Sequence, residues 1–165
     1  MGFGDAIRAC FGKYAVFSGR ARRSEYWYFV LFGMLVGMAT NTADAIINGE
    51  SSGAMPTPIS SIASLALMLP QLSANVRRLH DTNRSGWWIG GFYLYLIGAV
   101  VVGVAYFFQS GSSSFNDGPA IAGIVILGLG AFAYMVLLIV FAVLPGTPGT
   151  NRFGPDPKAP NVDVF

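Results

Sequence analysis

The sequence predicts an all-α integral membrane protein, a four-helix bundle of spanning segments preceded by a short amphipathic helix in the interface. Three observations carry this. First, 53% of the 165 residues are hydrophobic and 11% are charged, where an average soluble chain is roughly 25% charged. Second, four apolar runs, residues 26–47, 59–76, 87–108 and 120–144, come near or exceed the roughly 20 helical residues that cross a hydrocarbon core. Third, if all four runs cross, the ten Lys and Arg residues fall on one side: Arg8, Lys13, Arg20, Arg22 and Arg23 before the first, Arg77, Arg78 and Arg84 between the second and third, Arg152 and Lys158 after the fourth. By the positive-inside rule both termini are then cytoplasmic. The opposite loops, 48–58 and 109–119, hold no Lys or Arg, whereas three spans would carry some of those charges across.

Each element follows in order. Phe3, Ile7, Cys10, Phe11 and Tyr14 recur at helical spacing between Asp5, Arg8 and Lys13, the pattern of a helix lying in the interface. No cleavable signal peptide is expected, because the first 25 residues lack an uninterrupted apolar core. In the first span Gly33 and Gly37 form a small-xxx-small pair that admits a close helix neighbour. Its end is polar, with Thr40, Asn41, Thr42 and Asp44. The second span is the weakest, with four serines, Pro70, Gln71 and Asn75. The loops 49–58 and 110–118 read as outer turns, and Pro145 ends the fourth span. The whole chain, 1–165, reads as one domain with a cytoplasmic tail from residue 145.

The stretch RRLHDTNRSGWW, Arg77 to Trp88, is the loop between the second and third spans. Trp27, Trp87 and Trp88 stand where aromatic belts anchor a bundle at the headgroups. If the second helix continues past Val76, Asp81 can pair with Arg77 or Arg78 on one face, and Ser85 can cap the next helix. Cys10 is the sole cysteine, so no intramolecular disulfide forms; it reads as a small apolar residue on a helix face. A net charge of +2 with basic groups spread along the membrane borders fits anionic lipid rather than nucleic acid. One His and one Cys leave any metal site to carboxylates, which favours magnesium over zinc; neither a metal nor a cofactor is expected.

Three blocks carry a resemblance: FSGRARRSEYW (Phe17–Trp27), RRLHDTNRSGWW (Arg77–Trp88) and PGTPGTNRFGPDP (Pro145–Pro157). In this order, over nearly the whole chain, they resemble the DUF805 family of small bacterial inner-membrane proteins of unknown function. The resemblance implies four helices in the inner (plasma) membrane with cytoplasmic termini, and no catalytic or binding assignment. All three blocks border the same side. If they converge, Arg20, Arg23, Glu25, Arg77, Arg78, His80, Asp81, Asn151, Arg152 and Asp156 form one polar cluster at the inner rim. Guanidinium forks bind phosphate or carboxylate bidentately, so this set is the candidate ligand site. Alternatively, Glu25, Asp81 and Asp156 neutralise the arginines in an ion-pair network that locks the helix ends.

Three functional classes follow. The preferred one is a non-enzymatic binding or scaffold protein whose rim holds an anionic lipid, a phosphorylated ligand or a partner, because no complete catalytic set is visible. The second is an enzyme acting on a phosphorylated lipid, with His80 as base or nucleophile and Asp81 or Glu25 orienting it. The third is a transporter or channel subunit using Asn41, Asp44, Gln71 and Asn75, which in a chain of four helices needs a homo-oligomer.

Overall fold

A computed structural model describes residues 1–48, 58–110 and 118–159. Among them it forms five helices and no strand: α1 (Phe3–Gly12), α2 (Arg23–Asn48), α3 (Pro58–Asp81), α4 (Trp87–Ser110) and α5 (Gly118–Val143). Four are long and apolar enough to cross a membrane, over Arg23–Ile47, Ile59–Asp81, Trp87–Phe108 and Ala120–Val143. The second runs past the expected end at residue 76, because Arg78 and His80 in its last turn suit the negative end of the helix dipole. The outer turns read at 49–58 and 110–118 lie largely outside the described residues, as does the tail beyond residue 159.

The chain falls into two compact units, residues 1–84 with the segment from residue 145, and residues 85–144. In the first, α1 packs on α2 and α3. It buries Ala6 and Cys10, and Cys10 joins Phe29 and Ala74 in a small apolar core. Phe3, Phe11 and Tyr14 stay more than a third exposed, and Tyr14 lies beyond the helix end. Small side chains let the backbones approach, while the aromatics flank the seam, with Phe11 5.7 Å from Phe29 and 5.9 Å from Phe32 between ring centroids.

Pro70 explains how the linker after α1 is held. Lacking an N–H, it leaves the Ala66 carbonyl without its helical donor. The Tyr14 hydroxyl supplies one at 2.6 Å, and the Ser73 hydroxyl lies 3.1 Å from the Lys13 carbonyl. At the other end Asp44 accepts from Ser60 N at 2.8 Å, placing a carboxylate on the orphan donors that open α3. Thr40, Asn41 and Thr42 bond to carbonyls one turn back in α2. Gly33 and Gly37, expected to bring a helix close, instead line a groove of about 420 Å³ between α2 and α3 with Val30, Thr40, Leu67 and Gln71.

The second unit is an antiparallel hairpin in which each helix offers a tyrosine hydroxyl to the other's backbone. Tyr95 donates to Leu127 O at 2.8 Å, and Tyr134 donates to Trp88 O at 2.9 Å. Satisfying a phenol O–H this way lets its ring lie in an apolar seam. Gly130 makes room, since a Cβ there would collide with the Tyr95 hydroxyl. Trp88 packs edge-on against Phe141 at 5.4 Å, so it is partly a packing residue, while Trp87 is 78% exposed.

A candidate site at the arginine rim

The end of α3 is the hub. A helical offset of three puts Arg78 and Asp81 on one face, and Arg78 Nη1 donates to Asp81 Oδ2. Asp81 Oδ1 accepts from Arg20 Nε and Nη2, both at 2.9 Å. Arg77, one residue earlier and about 100° round the helix, does not pair with Asp81, one of the two options its spacing allowed. It reaches α2, where Nη1 donates to Glu25 Oε1 at 2.5 Å. The Ala21 N–H donates to Arg77 O at 3.0 Å and fastens the first block to α3.

The third block closes over this pair of helices. Arg20 donates from Nη1 to Gly149 O and from Nη2 to Thr147 O, each at 2.5 Å. Thr147 donates to the Asp81 carbonyl from its N–H at 2.8 Å and its hydroxyl at 3.1 Å, capping an orphan carbonyl of α3. Asn151 donates to His80 O at 2.9 Å and to Thr147 Oγ1 at 2.9 Å. Its own Oδ1 accepts from Phe153 N at 2.9 Å, an Asx turn inside the tight Asn151–Gly154 reversal. Gly146 must be glycine, because a Cβ would fall on the Asp81 carboxylate.

His80 is held by packing. Its ring stacks on Phe153 at 3.8 Å between centroids and 3° between planes. Nδ1 lies 3.1 Å from Gly19 O, which requires the hydrogen on Nδ1. The Arg152 guanidinium lies 4.7 Å from the Phe153 ring centre and donates to Asn83 O at 3.0 Å. Asp156 stands at the edge: the Lys158 N–H on Oδ1 and the Gly149 N–H on Oδ2 hold its carboxyl below the usual range. Arg23 opens α2, half-buried and close enough for its charge to act on Arg78.

The structure therefore brings all ten sequence-predicted residues to one region, nine through hydrogen bonds or ion pairs described above and Arg23 through charge. Arg20, Glu25, Arg77, Arg78, His80 and Asp81 are each at least nine-tenths buried. Sequence reasoning missed Thr147, Gly149, Phe153 and Ala21, which act through backbone groups, the Thr147 hydroxyl or ring stacking. The glycines and Asn151 of the third block were the available signal. Among the described residues no group of three or more His, Cys, Asp or Glu side chains could hold a metal ion.

Four span-length helices and one polar rim built from three separated blocks define an integral membrane protein with a buried charge network at the end of two of its spans. The chain belongs to the DUF805 family, described as "Protein of unknown function (DUF805)", whose model matches residues 14–155. It is 31% identical over 146 residues to "Inner membrane protein YhaH" of Escherichia coli (strain K12), covering 88% of this chain and 90% of that protein. It is 35% identical over 146 residues to "Inner membrane protein YhaI" of the same strain, covering 88% and 89%. No solved structure matches it. The matched residues begin after α1, so the helix covering the Arg77–Glu25 pair lies outside the family match.

Proposed function

We propose that this protein is a non-enzymatic binding and scaffold protein of the inner membrane, with both termini and the arginine rim in the cytoplasm. The rim holds three chain segments rigid and presents basic side chains to an anionic lipid, a phosphorylated ligand or a protein partner. One observation carries this reading: the three blocks meet in a network whose two buried carboxylates are already engaged by guanidiniums. Such a network fixes geometry and leaves neither buried carboxylate free for acid–base work. His80, the base an enzyme would need, faces a backbone carbonyl and an aromatic ring instead of Glu25 or Asp81. A transport path draws no support from Asn41 and Asp44, which bond to α2 and to the start of α3.

Among the described residues Lys13, Arg22 and Lys158 make no side-chain hydrogen bond or ion pair in the network, and both lysines are exposed. Native mass spectrometry of protein released from membranes should show retained anionic phospholipid that falls several-fold in a Lys13, Arg22, Lys158→Gln variant at unchanged melting temperature. Equal retention would remove the basic rim as a lipid contact. For orientation, single cysteines at positions 84 and 158, in a Cys10→Ala background, are expected to react with an impermeant maleimide from the cytoplasmic side alone. Labelling from the periplasm would reverse the topology.

A further inference from the structure

One buried edge of the arginine rim has no acceptor among the described residues. Arg20 and Arg78 both reach Asp81, and Arg77 pairs with Glu25. A buried donor without an acceptor is costly. That deficit sits at Arg77: its side chain is 0% exposed, Nη1 is on Glu25, and neither Nε nor Nη2 has a hydrogen-bond partner. Those two nitrogens form the side-on edge of the guanidinium, the edge that binds an oxyanion bidentately. The same edge of Arg20 is filled by Asp81 Oδ1, so the fold supplies an acceptor to one arginine and withholds it from the other.

The cover over Arg77 comes from α1. Cys10, 0% exposed, has its Sγ 4.0 Å from the Glu25 oxygen that Arg77 grips. Burial pushes this thiol up, with the Glu25 charge adding to the effect, so it stays protonated and cannot act as the missing anion. α1 carries exposed Phe3 and Phe11 beside exposed Arg8, the composition of a helix lying at a headgroup layer.

We propose that the Nε/Nη2 edge of Arg77, beneath α1, is the seat of one phosphate group, reached when α1 lifts at the Cys10 contact. A phosphodiester matches this edge, bringing two oxygens and a negative charge to two parallel N–H groups. The inference rests on the proposed anion-binding rim and assigns it a specific seat.

The test is native mass spectrometry of the full chain in uncharged detergent, with inorganic phosphate in one arm and phosphatidylglycerol in the other. Wild type is compared with Cys10→Asp, which supplies an internal carboxylate, and with Arg77→Lys, which keeps the charge and removes the edge. One adduct per chain is expected on wild type, held about thirtyfold or more weakly by both variants, the order for removing one partner of a buried charged hydrogen-bond pair. An adduct in the lipid arm alone assigns the seat to a headgroup, and one in the phosphate arm to a free phosphate. Equal adducts on wild type and Cys10→Asp would overturn the Arg77 seat while leaving a lipid-binding rim in place, whereas no adduct on wild type in either arm would overturn both. Should the variants fail to fold, wild type decides alone, since Cys10 is the sole thiol. Its alkylation by N-ethylmaleimide is expected to accelerate several-fold in phosphatidylglycerol vesicles over phosphatidylcholine, and an unchanged rate would overturn the lifting of α1.

Discussion

Asp81→Asn is expected to destabilise the first unit by about 3–5 kcal/mol, the range for breaking a buried ion pair from one side. Asp81 is 3% exposed and serves two guanidiniums at once, so the amide keeps the shape and leaves both Arg20 and Arg78 buried without their counter-charge. The third block should loosen with it, because Arg20 is also what grips Thr147 O and Gly149 O. Thermal unfolding in mild detergent should show a melting point lower by on the order of 10 °C. Protease should cut between Pro145 and Lys158 sooner than in wild type. A variant that melts with wild type and resists cleavage would show that the rim is not a clasp.

Glu25→Gln is expected to cost a similar 3–5 kcal/mol, because it strands the fully buried Arg77. The double variant Glu25→Met, Arg77→Met should recover most of that loss, since an apolar pair of similar volume removes both desolvated charges and the two unsatisfied N–H groups together. The adduct, not the stability, separates the readings, because any buried ion pair in contact is coupled and recovers when both partners become apolar. If Arg77 is an anion seat, the double variant regains stability and loses the phosphate adduct. If Arg77 and Glu25 are a structural lock alone, stability recovers and the adduct is the same in wild type and double variant.

Much of the site was legible because its chemistry is polar and its setting apolar. Charged residues are scarce in this chain, so Arg20, Glu25, Arg77, Arg78 and Asp81 stand out against the spans, and their blocks flank the apolar runs. The offset of three between Arg78 and Asp81 was readable as a pair for the same reason that any helical face is. The partner of Arg77 was not readable, because Glu25 lies 52 positions away and only the packing of α2 on α3 brings it near. The backbone acceptors were equally hidden: Thr147 O, Gly149 O and Gly19 O exist at every sequence, and the path of the chain alone aims them. In α1 the period was right, but spacing marks the apolar stripe without deciding which part meets a neighbour, as Cys10 does, and which stays exposed, as Phe3 and Phe11 do.

The sequence by itself determined that this protein belongs in a membrane, with four helices long and apolar enough to cross it and its basic residues confined to the segments between and beyond the apolar runs, because hydrophobic length and charge placement are local quantities that the bilayer reads directly. Only the tertiary structure decided that those arginines lie buried in a clasp, that Asp44 caps a helix and that one guanidinium edge is left open beneath α1. Pairing and burial depend on which distant residues meet, and a charge buried against a partner has the same letter in the sequence as one left in water.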